Sequence, residues 1–386
     1  MKWETVEISQ LGEVITGNTP PRKNPELYGD FIPFIKPTDM EIDRRYTPNP
    51  EECYSELGYE KYRKSLIPKG ATCVVTIGSI GKKMTQALTD CFINQAVNAI
   101  IPNQNYDNDF VYYLLKNNLD KVKGLDSGTS SGRENVSKSA FSSIEVKVTK
   151  HLPTQRRIAS ILSAYDDLIE NNLKRIKLLE EKAFLSYKGI VKSEKLEKRT
   201  LSEFGEIITG KTPSTTNYAF FGDDIPFIKT PDMHKQIFIE STEQSLSELG
   251  AKSQEKKFLP PMSLCVSCIG TAGVIGITSK LSQTNQQINS IVFKEPKNVY
   301  FFYALMSQMK EQLDALGSNG STFTNVNKNK FENMEVFVPN KNVLNEFAIE
   351  HENSFKLILI LQKQNTKLRE ARDILLPRLM SGEIEV

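Results

Sequence analysis

The strongest constraint on this chain of 386 residues is that it contains the same pattern twice. LGEVITGNTPPRKNPELYGDFIPFIKPTDM (Leu11 to Met40) returns 193 residues later as FGEIITGKTPSTTNYAFFGDDIPFIKTPDM (Phe204 to Met233), with more than half of the positions identical. The correspondence continues with SELG at Ser55 and Ser247, then with VVTIGSIG (Val74 to Gly81) against VSCIGTAG (Val266 to Gly273). NQAVNAI (Asn94 to Ile100) matches NQQINSI (Asn285 to Ile291), and NVSKSAFSSIEV (Asn135 to Val146) matches NVNKNKFENMEV (Asn325 to Val336). A copy of about 140 residues is a whole domain, far longer than a solenoid unit.

Each copy reads as mixed and strand-rich. Apolar β-branched stretches such as Thr72 to Ile77 and Ser290 to Phe293 are punctuated by Gly, Pro and Asn, and one helix is expected near Phe110 to Asn118 and another near Tyr300 to Met309. After each copy the pattern changes to a helical stripe. Ile158, Leu162, Tyr165, Ile169, Asn172, Ile176, Leu179 and Ala183 form the first. Leu357, Leu361, Gln364, Leu368 and Leu375 form the second, with Phe347 and Ala371 alongside, and Pro377 is expected to end it. A helix of 35–40 residues is roughly 50–60 Å long, more than a 140-residue domain can bury, so the two stripes are expected to pair with each other. Asn172 and Gln364 would then limit the register, as buried amides do in coiled coils.

The expected fold class is therefore α+β: two strand-rich domains in tandem repeat, separated and held by two long helices that form an antiparallel coiled coil with pseudo-two-fold symmetry. The segments are 1–150, 151–195 (central helical spacer), 196–340 and 341–386 (C-terminal helical spacer).

Charge excludes a strongly basic binder. Residues 1–150 carry 19 basic and 19 acidic side chains, 151–199 carry 11 and 7, 200–340 carry 12 and 14, and 341–386 carry 7 and 7. Only the central helical segment is basic, and a chain that grips phosphates unaided usually shows a larger excess. No apolar run reaches the ~18 residues of a membrane span, and MKWETVEISQ lacks a signal-peptide layout, so no membrane association and a cytoplasmic location are expected. The five cysteines form no disulfide framework, in keeping with a reducing compartment.

Domain, helix, domain, helix, with the GDxIPFIK blocks, the paired Gly-rich segments, LPTQRRIASILSAYDDLIENN opening the central region and ILLPRLMSGEIEV closing the chain, resembles the specificity subunit of type I DNA restriction–modification enzymes. The resemblance covers essentially the whole chain. It implies two target-recognition domains in a non-catalytic reader of a two-part, asymmetric double-stranded DNA sequence. It also implies docking of two methyltransferase subunits and, through them, two restriction and translocase subunits. S-adenosylmethionine, ATP and Mg would then sit on those partners, with no cofactor on this chain.

The residue chemistry gives candidate DNA contacts. The loop Thr76 to Lys83 places Ser79, Lys82 and Lys83 beside glycines that let backbone N–H groups approach an anion; its counterpart carries Thr271. It lacks the spacing of a Walker loop, and a tight turn between strands is the alternative. The segments Ser127 to Val136 and Gly317 to Val326 combine Gly with hydroxyls and amides. Ser130, Arg133, Ser321, Thr322 and Asn325 are candidates there, and Arg133 is the one suited to bidentate guanine contact. Asn135 and Asn325 recur, which fits turn capping as well as recognition. Lys36 and Lys229 recur in the IPFIK strand, where they could touch phosphate, snorkel, or pair with Asp39 and Asp232. Arg44, Arg45, Lys235 and Lys256 differ between copies and are candidates for distinguishing sequence. Tyr112, Tyr113, Phe301, Phe302 and Tyr303 are expected in the core. A PD…ExK match (Pro231, Asp232, Glu255 to Lys257) is absent from the first copy. The lone CxxC, Cys265 to Cys268, has no second pair, so neither a nuclease centre nor zinc is expected.

Overall fold

The computed structural model describes residues 3–125, 134–234, 236–317 and 324–386. The chain divides into two compact units, one of residues 1–170 with 367–386, the other of residues 171–366. Four helices position the rest: α1 (Asn108–Lys116), α2 (Leu152–Ser193), α3 (Val299–Met306) and α4 (Lys341–Ser381).

In the first unit a four-stranded antiparallel sheet runs in the order Gly12–Thr16, Val97–Pro102, Thr72–Val75, Met84–Gln86. Its inner strand Thr72–Val75 is buried on both faces, in keeping with the apolar run CVV after Thr72. Val74 and Ile100 face a core shared with Phe110, Val111 and Leu114 of α1, while Cys73, Val75 and Ala99 face a second core with Ile35 and Met40. Helix α1 starts where the Asp107 carboxylate accepts hydrogen bonds from the N–H groups of Asp109 and Phe110. A smaller sheet orders Tyr28–Gly29, Glu52–Tyr54, Ile32–Ile35 and Phe92–Ile93, the last pairing parallel.

The second unit repeats this plan in register. Cys73 pairs with Ala99 in the first copy, and Cys265 pairs with Ser290 at the corresponding place in the second. The larger sheet there gains a fifth strand, Phe238–Ile239, parallel to Ile275–Thr278. The expected core aromatics Tyr112, Tyr113, Phe301, Phe302 and Tyr303 are all buried on α1 and α3.

Helices α2 and α4 have 42 and 41 residues, a length of roughly 60 Å. In the first unit Ile158, Ala159 and Leu162 near the start of α2 pack with Leu376, Leu379 and Met380 near the end of α4. In the second, Ala183 near the end of α2 shares a core with Leu344, Phe347 and Ala348 near the start of α4. The pair is an antiparallel coiled coil.

On α2 the expected seam holds: Ile158, Leu162, Ile169, Asn172 and Ala183 are buried, and Tyr165, Ile176 and Leu179 are half-buried. On α4 Leu361 is buried and Leu357, Leu368 and Leu375 are half-buried, but Gln364 needs correction, since it is exposed. A second, fully buried line runs through His351, Ile358, Asn365, Arg372 and Leu379, one heptad apart, and carries three polar side chains. Pro377 does not end α4 either. The helix continues to Ser381 because burial of Leu379 and Met380 outweighs the one backbone hydrogen bond that proline removes.

Candidate nucleic-acid interface

In each domain several loops are hydrogen-bonded together around one end of the larger sheet. In the first, Gly78 N–H donates to Glu134 O at 3.1 Å and Val136 N–H to Thr76 O at 2.9 Å, so the Gly-rich loop and the segment leading to Val136 form a short ribbon. In the second, Ile269–Gly270 pairs with Thr324–Asn325, and Val326 N–H donates to Cys268 O at 2.9 Å. Gly78 (φ 91°) and Gly270 (φ 80°) lie in the left-handed region with open space where a Cβ would stand. Backbone conformation, not crowding, demands glycine there.

The recurring NQ turn braces this ribbon. Ala96 O accepts from Thr76 N–H at 2.9 Å, and Gln287 O from Cys268 N–H at 2.8 Å. Asn94 and Asn285 cap the turn, while the Gln95 and Gln286 side chains accept from Thr19 and Thr212. Gly17 and Gly210 pass so close that a Cβ on either would lie 2.1 Å from a carbonyl oxygen of the turn strand. Asn98 and Asn289, which the pattern reading did not single out, lock the sheet to the ribbon. Asn98 donates to Thr76 Oγ1 at 3.0 Å, and Asn289 to Val326 O at 3.0 Å. Their recurrence inside NQxxN was the available signal.

Ser79 and Lys82 are exposed on the ribbon loop of the first domain, and Thr271 and Asn325 on that of the second. Asn135 stands opposite Ile77 in the first ribbon. Ser130, Arg133, Lys235, Ser321 and Thr322 lie outside the described residues. Lys256 is exposed on the short helical turn Glu255–Lys257, away from the ribbon in sequence.

Several candidate cations have partners inside the protein. Lys36 Nζ lies 2.9 Å from Glu51 and 3.1 Å from Glu52. Arg44 makes a two-pronged contact with Glu170 of α2 at 2.9 and 3.0 Å. Arg45 is 2% exposed, donates to Gln86 at 2.8 Å, pairs with Asp109 and lies over the rings of Tyr46, Tyr112 and Tyr113. Arg45 is thus a core residue and Arg44 a domain-to-helix tether, because each finds a carboxylate within the unit. Lys83 donates to Pro37 O at 2.8 Å. Lys229 is half-buried and forms no ion pair with a described residue. The recurring acids do not pair with the recurring lysine side chains. Asp39 accepts from the N–H groups of Lys36 and Glu51, and Asp232 from those of Lys229 and Glu243.

That capping role uses both oxygens of Asp232, the acid of the PD…ExK match. Among the described residues no three His, Cys, Asp or Glu side chains gather as a metal site would require. Cys265 and Cys268 are buried, and burial pushes their thiols up to about 12 and about 11.

Comparison with known proteins agrees with this geometry. Residues 1–181 and 193–367 each match the family described as the type I restriction modification DNA specificity domain. The chain is 45% identical over 190 residues to the type I restriction enzyme HindI specificity subunit of Haemophilus influenzae, a match spanning 49% of this chain and 41% of that one. It is 26% identical over 411 residues to the MjaIX specificity subunit of Methanocaldococcus jannaschii, spanning 100% of this chain and 94% of that one. Its fold is similar to the crystal structure of the S subunit of a type I restriction-modification system from M. genitalium, with a TM-score of 0.59 and 15% identity, covering 98% of this chain and 96% of that one. With the family pattern present twice, on two domains built in the same register, the chain belongs to the type I restriction-modification DNA specificity subunits.

Proposed function

We propose that this chain is the DNA-reading and scaffold subunit of a type I restriction-modification complex, in which each domain reads one half of a two-part target. The observation that carries the reading is a pair of equivalent loop frameworks whose side chains differ: exposed Ser79 and Lys82 in one, exposed Thr271 and half-buried Val274 in the other. Hydroxyls, amides and lysines on a glycine-turned ribbon suit phosphate and base-edge contact. Dissimilar side chains on one framework suit two dissimilar half-sites.

The chain is read as non-catalytic, docking two methyltransferase subunits and, through them, two restriction and translocase subunits. S-adenosylmethionine, ATP and Mg belong to those partners in this reading. Its place is the cytoplasm; no helix among the described residues is long and apolar enough to cross a membrane. Lys36, Arg44, Arg45 and Lys83 make contacts within their unit and residues 1–150 carry no net charge, so partner subunits would add the counterion release that tight binding needs. Methylome sequencing of the host with and without this gene tests the reading. Loss of one bipartite methylation motif is the expected result, and an unchanged methylome would refute it.

A further inference from the structure

We propose that Asp43, Asp166 and Arg372 are positioning residues that hold the first recognition domain at one place on the helix pair, and thereby set how strictly the DNA spacer is read. The inference rests on the two-part reading above.

Arg372 of α4 is fully buried and Asp166 of α2 is 2% exposed, with Nη1 and Oδ1 2.5 Å apart. The other Asp166 oxygen accepts from Tyr113 OH of α1. Arg372 also reaches Asp373 at 2.9 Å and, through Nη2, Asp43 at 3.9 Å; Nη2 has no hydrogen-bond partner. Asp43 lies 3.4 Å from Lys116 Nζ at the end of α1. It does so with φ 61°, a left-handed conformation that Asp and Asn enter more readily than other non-glycine residues. One carboxylate on the loop after the IPFIK strand therefore faces cations from the domain's own helix and from α4, while its neighbour Arg44 is tied to Glu170 of α2.

This layer is not demanded by the fold. In the second domain the position of Lys116 is Met306, and the junction is aromatic. Nor does a buried ion pair add stability over well-packed apolar groups of similar volume, since desolvation cancels most of the attraction. What it does provide is geometric selectivity. Apolar contacts tolerate a slide of an ångström, whereas a hydrogen-bonded ion pair is lost by one, and one base pair of spacer corresponds to ~3.4 Å along the duplex.

The test is methylome sequencing of a host carrying the full complex with the triple variant Tyr113→Phe/Asp166→Leu/Arg372→Met, which removes the pair and its hydroxyl partner together. Methylation at targets with unchanged half-sites but a spacer one base pair longer or shorter should rise roughly tenfold, the scale of one lost coupling. Retention of a single spacer, or loss of methylation at all spacers alike, would overturn the proposal. Should the triple variant fail to accumulate, Asp43→Asn, which keeps a residue tolerant of left-handed backbone, decides by the same readout. A change in the bases recognised would count against the two-part reading itself and not against the positioning role.

Discussion

The two units join equivalent domains to the same two helices with different groups at the buried centre of the contact. In the first, charges are set into an apolar contact: Arg44 pairs with Glu170 of α2, and Arg372 of α4 reaches Asp43 at 3.9 Å while pairing with Asp166, which accepts from Tyr113. In the second it is aromatic. Phe355 of α4 stacks on Tyr300 at 4.7 Å and meets Phe238 and Tyr303 edge-on, while Phe347 meets Phe301. Ion pairs there have solvent-exposed lysines, Lys297 with Glu352 at 2.8 Å and Lys363 with Glu240 at 3.7 Å. Gln362 brackets Phe238 by bonding both its N–H and its carbonyl, and Tyr303 donates to Glu180 of α2 at 2.7 Å. The difference teaches that the repeated framework specifies the domain, whereas the join to the helices is solved separately in each copy.

That contrast can be broken first at its buried charges. Arg372→Met leaves the Asp166 carboxylate buried and unpaired, and should lower the unfolding free energy of the first unit by about 4 kcal/mol, measured by denaturant titration. Phe355→Ala should cost the second unit about 3 kcal/mol through the cavity it leaves. If both substitutions cost the same unit, the division between charged and aromatic centres is wrong.

A smaller effect separates the two by pH. His351 sits in the helix seam of the second unit against Phe347, with both ring nitrogens lacking hydrogen bonds. Burial pushes its pKa below the usual value, against the opposing pull of Glu350, whose carboxylate lies 3.6 Å away; Lys182, which approaches Glu350, pushes in the same direction as burial. With the folded value depressed below an unfolded value of 6.5, the unfolded chain takes up the proton first. The contribution is therefore whole above pH 6.5 and is lost as pH falls through the folded value. Melting of the second unit followed downward from pH 7 should show this loss, and His351→Leu should flatten it.

The smallest effect lies in one turn. Gly70 has φ 86°, and its counterpart in the second copy, Met262, adopts φ 69°. Gly70→Ala should cost about 1–2 kcal/mol, with its Cβ 2.6 Å from the Asn108 amide. Met262→Gly relieves the same backbone conformation but forfeits a half-buried side chain, so its net effect should stay within about 1 kcal/mol.

Much of this was legible in the chain. The repeat announces two domains in register, and the α2 stripe from Ile158 to Ala183 is the seam. On α4 the apolar row Leu361, Leu368 and Leu375 was legible, but the line beside it through His351, Asn365 and Arg372 was not, because these are residues that an apolar pattern search discards. Asn172 does meet its amide partners: its Nδ2 lies 2.9 Å from Asn365 and 3.0 Å from Gln364, but the buried partner is Asn365. Arg44 and Arg45 differ from the second copy for a reason a single sequence hides, since their carboxylate partners lie 126 residues away at Glu170 and 64 residues away at Asp109. Variation between copies marked a helix tether at Arg44 and a buried ion pair at Arg45.

The central claim, one reader domain for each half-site on a shared scaffold, is tested most directly by exchange. Residues 1–150 are replaced by the corresponding domain of a related subunit with a different target, and the methylome of the host is sequenced. The expected result is a new bipartite motif in which one half has changed and the other is retained base for base. A motif altered in both halves, or one unaltered in either, would contradict the account.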